Sequence, residues 1–295
     1  MSHFSPKQVA QALGVSESSV KRWCDLGVVP VLRTAGGHRR IPQKCLEDLL
    51  ALGGDFAASQ FNAPIEEAVV ASVDEPLAFE VAWRSLDVYQ SEFREALRAG
   101  RETRCRELLS DLIADGFSLS QAADSLITDA MHHFGQMWKQ GEMAIYQERR
   151  ACGICFGLIH ELKQSIVIAE GAPTAIGGSP EGDVYQLPTL LVELALCESG
   201  WRATSLGCNV PMRSMSAAVS EYQPRLLWIS MSAVECEDTL VKDFNELVAS
   251  LPKDTAVIVG GRAANDSLRP RLRYTAHCDS ISNLTFLASA FLAKQ

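Results

Sequence analysis

The spacing of apolar residues changes along the chain and divides its 295 residues into blocks of different architecture. Residues 1–52 form short amphipathic segments separated by sharp turns. Residues 53–76 lack periodicity and carry Gly, Pro and small residues, which is typical of a linker. Apolar residues in 77–170 recur at spacings of three and four, which predicts helices, whereas 171–295 alternates β-rich runs with helical stretches.

The patterns of the two C-terminal blocks predict two different architectures. Gly100, Gly116 and Gly141 interrupt the helical block, so a bundle of four antiparallel helices is the simplest assembly. Five β-rich runs follow, which read TAIGGS, WRATSLG, RLLWISMS, TAVIVGG and, more weakly, HCDSIS. Strands that alternate with helices predict an α/β, doubly wound, parallel five-stranded sheet of the Rossmann or flavodoxin-like type. The chain is therefore expected to be multidomain.

Charge is distributed unevenly between these blocks. The first fifty residues carry seven lysines and arginines against four acidic residues, a net charge of +3. Because the whole chain has a net charge of −9, the remainder carries −12. A basic head on an acidic body is expected where only the head touches nucleic-acid phosphates.

The basic head has the pattern of a helix-turn-helix. Ser5 caps a first helix that has Pro6 at its first position, and Gly14 permits a tight turn to a second helix. A polar and basic exposed face on that second helix suits entry into the major groove. The candidate DNA-binding residues of the second helix are Ser16, Ser18, Ser19, Lys21 and Arg22.

A basic hairpin follows the two helices. Gly36-Gly37 forms its turn, and such a wing can lie along phosphates. Its candidate DNA-binding residues are Arg33, Gly36, Gly37, His38, Arg39 and Arg40. In order and spacing, the first fifty residues resemble the MerR-type winged helix-turn-helix, which implies a mainly α domain that binds double-stranded promoter DNA. The alternative is a small helical interaction module that does not touch DNA.

The C-terminal blocks carry four spaced motifs. Trp138 is followed after nine residues by Glu148-Arg149. The run Asp183-Val-Tyr185-Gln-Leu-Pro188 is followed after forty-one residues by Ser230-Met-Ser232, and after twenty-seven more by Gly260-Gly261. Over nearly the whole chain, these motifs resemble the light-responsive, cobalamin-dependent repressors of carotenoid genes. The resemblance implies a cobalamin-binding fold, with the first motif over the upper face of the cofactor.

The chain departs from that family at chemically important positions. Arg149 and Tyr185 stand where the family has histidines, and the second of these is the lower cobalt ligand. A phenol has a pKa of about 10 and would have to ionise to replace that imidazole. Pro188 replaces a glycine that lets the cofactor's tail pass close to the backbone, and Ser232 replaces a leucine. Gly260-Gly261 leaves room for that tail or simply makes a turn.

Three states of the body follow from these departures. It holds cobalamin without a protein ligand to cobalt, binds another molecule in the same cleft, or serves as a ligand-free module for oligomerisation and partner binding. Arg149 beside Trp138 makes an anionic small molecule a concrete second option. No metal site is expected. The candidate ligand-binding residues are Trp138, Glu148, Arg149, Asp183, Tyr185, Ser230, Ser232, Gly260 and Gly261.

These patterns favour a cytoplasmic transcriptional regulator, a repressor by the resemblance, that forms a homo-oligomer such as a dimer or tetramer through its C-terminal region. No apolar run approaches the length of a membrane span, and no arrangement typical of catalysis is present, so neither a membrane partner nor an enzyme is expected. The competing functions are a corrinoid methyl carrier, which needs the missing histidine, and a scaffold that uses its body only for protein contacts.

Overall fold

The computed structural model describes residues 3–13, 20–21, 24, 32–33, 39–42 and 85–292. The chain divides into two compact units, Met1–Ala82 and Trp83–Gln295, and each is described by itself. The predicted linker 53–76 lies outside the described residues. None of the described helices is long and apolar enough to span a bilayer.

The N-terminal unit contains one described helix and three short strands. Helix α1 (Pro6–Leu13) begins as predicted, because the Ser5 hydroxyl accepts a hydrogen bond from the Gln8 N–H at 3.3 Å and Gln8 Oε1 accepts one from the Ser5 N–H at 2.8 Å. The strands β1 (His3–Phe4), β2 (Leu32–Arg33) and β3 (Arg39–Pro42) form an antiparallel sheet in the order β1-β3-β2. The buried apolar residues are Val9, Ala10, Val20, Cys24 and Ile41.

The helical part of the C-terminal unit consists of four helical segments, or rods, as predicted, and they pack around one apolar core. The rods are α2 (Leu86–Ala99), α3 (Glu102–Ala114), a composite third rod and α6 (Ile145–Gln164). The third rod joins α4 (Leu119–Ala123) to α5 (Asp129–Lys139) through one π-helical turn (Asp124–Thr128). Gln90 of α2 donates to the Ser125 carbonyl oxygen at 3.0 Å, which satisfies a backbone group in that turn.

The α/β part follows the predicted alternation. Its elements are β4 (Thr174–Gly178), α7 (Leu187–Glu198), β5 (Arg202–Ser205), α8 (Met212–Tyr222), β6 (Leu226–Ser230), α9 (Glu237–Ser250), β7 (Ala256–Gly260), β8 (Ala276–Cys278) and α10 (Ile281–Leu292). The five strands are parallel, in the order β5-β4-β6-β7-β8. The predicted doubly wound sheet is confirmed. Only the run HCDSIS differs, since β8 ends at Cys278 and Ile281 already begins α10.

Alternate side chains of the central strand β6 face different layers. Leu226 and Trp228 pack with α7, α10 and the helical bundle, whereas Leu227 and Ile229 pack with α8 and α9. Helix α7 lies between the sheet and the bundle, which explains why it is apolar on nearly every face. Lys163 of α6 donates to the buried Glu193 carboxylate of α7 at 2.8 Å, so a partly buried ion pair also joins the two layers.

A second carboxylate of α7 caps a bundle helix. Glu198 accepts hydrogen bonds from the backbone N–H groups of Leu119 and Ser120, at 2.7 Å and 3.0 Å, at the start of α4. We expect Glu198→Gln to lower the free energy of unfolding by about 1–2 kcal/mol, because the neutral amide is a weaker acceptor for these groups. Urea denaturation measures the change. The control, Glu107→Gln, alters an exposed pair with Arg104 and should change stability by less than about 0.5 kcal/mol. Equal effects of the two substitutions would contradict the cap.

Candidate functional site

The carboxyl ends of β4 and β6 define the candidate site in the sheet. The chain leaves β4 toward β5 on one side, whereas β6 pairs with β4 on the other side. This is the topological switch point at which ligands bind in doubly wound folds. Asp183 and Tyr185 lie in the loop that follows β4, and Ser232 lies in the loop that follows β6. The structure therefore brings the predicted residues of these two motifs to one edge of the sheet.

Asp183 joins the two loops. Its carboxylate is completely buried, and Oδ2 accepts hydrogen bonds from the backbone N–H groups of Ser232 at 2.5 Å and Ala233 at 3.1 Å. Oδ1 accepts from the Tyr185 N–H at 3.0 Å. Three backbone donors satisfy this buried charge without a ligand. The arrangement indicates that Asp183 holds the shape of the site.

Tyr185 lies beneath a cation that the sequence motifs did not indicate. The guanidinium carbon of Arg262 is 5.0 Å from the centroid of the Tyr185 ring, which is a cation–π contact. Arg262 Nε also donates to the Ser232 carbonyl oxygen at 2.8 Å. The side chain of Tyr185 remains 45% exposed at the edge of the sheet. In the sequence, Arg262 could have been recognised as a site residue by its position directly after Gly260-Gly261, at the carboxyl end of β7.

The space beside Gly260 and Gly261 is filled by neighbouring backbone. A Cβ atom on Gly261 would lie 2.3 Å from the Met231 carbonyl oxygen, and the residue has a φ of +95°. A Cβ atom on Gly260 would lie 2.9 Å from the Cys278 carbonyl oxygen. Of the two interpretations of this motif, the geometry favours a tight turn against the adjacent strands over an open channel for a ligand's tail.

The motif in the bundle lies at the turn between α5 and α6. Trp138, the penultimate residue of α5, is 54% exposed, and Glu148 is half-buried in the first turn of α6. Arg149 is exposed and forms no ion pair with Glu148 or Glu142 in the described part of the chain. Ile145 and Tyr146 are also exposed, at 61% and 68%. The turn thus presents apolar and aromatic surface beside a cation.

The sheet motifs form one bonded network, and the bundle motif is separate from it. Within 85–292, no hydrogen bond, ion pair or ring contact links Trp138, Glu148 or Arg149 to the network of Asp183 and Tyr185. Ser230 is 5% exposed at the end of β6. The assignment of these residues to a ligand site stays a prediction.

The head's candidate residues are described only in part. Lys21 is exposed, and the wing strands place Arg33 opposite Arg39 in an antiparallel pair, with Arg40 opposite Leu32. The remaining candidates lie outside the described residues. They are Ser16, Ser18, Ser19, Arg22, Gly36, Gly37 and His38.

Burial dominates the environment of the bundle cysteines. Cys152 and Cys155 lie on α6, and burial raises the pKa of both thiols. Burial likewise raises the pKa of Cys105, on the neighbouring helix, to about 11. With pKa values raised in this way, these groups are thiols near neutral pH. Among the residues that the structure describes, no group of three His, Cys, Asp or Glu side chains could hold a metal ion.

Comparison with known proteins finds two domain models in the chain. A helix-turn-helix domain matches residues 4–51, and a B12 binding domain matches residues 89–162, which span most of the helical bundle. The HTH-type transcriptional repressor CarH of Myxococcus xanthus is 23% identical over 86% of this chain and 87% of its own length. The HTH-type transcriptional repressor CarA of the same organism is 23% identical over 42% of this chain and 43% of its own length.

A solved structure supports the fold of the C-terminal unit. The monomethylamine corrinoid protein of Methanosarcina barkeri superposes with a TM-score of 0.57 and 17% identity, over 70% of this chain and 99% of its own. The resemblance to cobalamin-dependent repressors is therefore confirmed at the level of domains and fold, and a B12-binding type of domain makes cobalamin a plausible ligand.

The residues on the sheet side nevertheless do not fit a cobalamin that is held through cobalt. The family's ligand position holds Tyr185, whose ring lies under Arg262. The neighbouring Asp183 carboxylate accepts hydrogen bonds from three backbone N–H groups, and among the described residues no hydrogen bond joins it to the Tyr185 hydroxyl.

Proposed function

We propose that this chain is a DNA-binding transcriptional repressor whose C-terminal unit, of the B12-binding type, controls how its winged heads engage an operator. The similarity to the two HTH-type repressors, together with the helix-turn-helix domain at residues 4–51, supports DNA binding and repression. The MerR type of the head, and the control of its DNA binding by the C-terminal unit, are proposed in addition to that similarity.

The observation that carries the proposal is the pairing of the wing strands. Arg33 and Arg39 lie directly opposite each other on β2 and β3, and Arg40 is next in register. Three arginines on two short antiparallel strands concentrate positive charge beside a short helical core. Guanidinium groups bind phosphate oxygens in bidentate fashion, and such contacts hold a winged domain in register on the duplex.

The C-terminal unit is proposed to act as an oligomerisation module rather than as a catalyst. Several heads that are linked through their bodies bind neighbouring half-sites far more tightly than one head does, so a change in assembly regulates repression. In support of this, the Asp183 carboxylate in the described part of this unit is occupied by backbone N–H groups of two loops. Such a regulator would act in the cytoplasm, where its operator lies.

Gel-shift titration of the full chain against the DNA upstream of its own coding region tests this proposal. Half-saturation should move to higher protein concentration as salt rises, with a slope of the logarithms near −0.9 for each phosphate contacted. A scaffold that uses its body only for protein contacts would show no duplex affinity at low ionic strength, and that result would overturn the proposal. Light scattering on the same sample reports whether the chain is a dimer or a tetramer.

A further inference from the structure

The switch point of the sheet is closed by side chains of this chain. The resemblance places a cofactor's tail between the start of α7, at Pro188, and the end of β7, at Gly260-Gly261. In the order β5-β4-β6-β7-β8, strand β6 lies between the strand that leads into α7 and the strand that ends at Gly260. A molecule that follows this path must therefore cross β6, whose middle residue is Trp228.

Trp228 fills the layer between β6 and α7. Its side chain is 1% exposed, and a Cβ atom on Gly177 of the adjacent strand would lie 2.3 Å from the indole Cδ2 atom. The indole is thus packed directly on the backbone of β4. An interior at this density contains no open channel for a nucleotide-sized group.

The polar atom of Trp228 is also satisfied within the protein. Its Nε1–H donates to Thr189 Oγ1 of α7 at 2.9 Å, and Thr189 Oγ1 lies 3.2 Å from Ser205 Oγ of β5. Thr189 is completely buried. These bonds link β6, α7 and β5 across the layer, so removing the indole from this position would leave buried polar groups without partners.

The outer end of the path is closed as well. The backbone of Met231 occupies the space beside Gly261, and Arg262 covers Tyr185 while it donates to the Ser232 carbonyl oxygen. Groups of this chain therefore occupy the path both within the layer and at the edge of the sheet.

We infer that Trp228, with the Arg262–Tyr185 pair at the edge of the sheet, occupies the space of a cofactor's tail and that the C-terminal unit does not take up cobalamin in the tail-inserted mode. The unit keeps the fold of a B12-binding domain with its interior filled by its own side chains. This inference concerns the body alone and does not depend on DNA binding by the head.

The test compares four full-length proteins: the wild type, Tyr185→His, Tyr185→His with Trp228→Gly, and Tyr185→His with Trp228→Phe. Each is incubated in the dark with hydroxocobalamin or adenosylcobalamin, and the chromophore that remains after gel filtration is read by absorbance.

We expect no retained chromophore in the wild type or in Tyr185→His, because an imidazole alone does not open the layer. The variant with glycine at 228 should retain at least tenfold more, with the spectrum of a histidine-ligated cobalt. The phenylalanine variant, which keeps the ring bulk, should resemble Tyr185→His.

Two results overturn the inference. Stoichiometric retention by the wild type, with the spectrum of a cobalamin whose tail has left cobalt, would show that the layer admits the tail. Retention by Tyr185→His alone would show that the missing ligand, and not Trp228, excludes it. These two proteins keep the indole and the core intact, so either result refutes the inference even if circular dichroism shows that the glycine variant is unfolded. Gel shifts are scored separately, so a failure of this inference is distinguishable from a failure of DNA binding.

Discussion

Replacing Arg39 and Arg40 together with alanine is expected to weaken operator binding by about 100-fold at physiological salt. Each arginine is expected to neutralise one phosphate, and the loss of about 1.4 kcal/mol for each contact corresponds to a factor of ten. The reason for choosing this pair is structural, since β3 presents the two residues consecutively in the described wing, opposite β2.

The salt dependence of the same variant makes the prediction more specific. Removing two phosphate contacts should reduce the slope of log affinity against log salt by about 1.8. Changing both residues to lysine should keep most of that slope, because the charge remains, while the loss of bidentate geometry lowers affinity. Arg269→Ala is a matched control in the C-terminal unit, where Arg269 pairs with Asp266, and it should leave DNA affinity unchanged. A double-alanine variant with wild-type affinity would refute the wing assignment.

The architecture could be predicted because local patterns determine most of it. The change from helical spacing to alternating β-rich runs anticipated four rods and five parallel strands, since burial imposes one period on helices and another on strands. The π turn at Asp124–Thr128 could not be predicted in this way, because one inserted residue hardly disturbs an apolar stripe. Strand β1, with only two residues, is too short to carry a period.

The site was predictable in position but not in its contacts. The spacing of the motifs located Asp183 and Ser232, which the fold brings together across 49 residues of chain. The partners of these residues were not apparent, since a hydrogen bond from Ser232 N–H to a carboxylate has no local signature. Arg262 and Trp228 were likewise missed, because their importance depends on what lies opposite them in space. Trp228 was visible in the sequence only as one apolar residue of the run RLLWISMS.

The network around Asp183 connects these observations. A buried carboxylate that serves only the backbone, a tyrosine under an arginine and an indole in the layer beneath indicate a site whose residues now bind one another. Such a site contributes to the rigidity of the unit, because the Asp183 carboxylate and the Trp228 N–H are satisfied by other parts of the chain. Substitutions there should therefore affect folding, whether or not any ligand is present.

Asp183→Ala is expected to lower the free energy of unfolding of the C-terminal unit by about 3–5 kcal/mol. The change leaves the N–H groups of Tyr185, Ser232 and Ala233 without an acceptor, and each unsatisfied buried donor costs about 1–3 kcal/mol. Asp183→Asn should cost less, because its carbonyl oxygen still accepts, although its NH₂ group meets donors on the other side. Native domains have about 5–15 kcal/mol of stability, so the alanine variant should be close to unfolding at physiological temperature.

Urea denaturation of the full chain measures this effect, and tryptophan fluorescence follows the C-terminal unit, which contains four of the five tryptophans. Asp266→Ala is the matched control, because the Asp266 side chain is 95% exposed and pairs only at the surface. It should shift stability by less than about 0.5 kcal/mol. If Asp183 served mainly to contact a ligand, the apo-protein of Asp183→Ala would unfold at the same urea concentration as the wild type. That outcome would remove the structural role that the three backbone hydrogen bonds assign to this carboxylate.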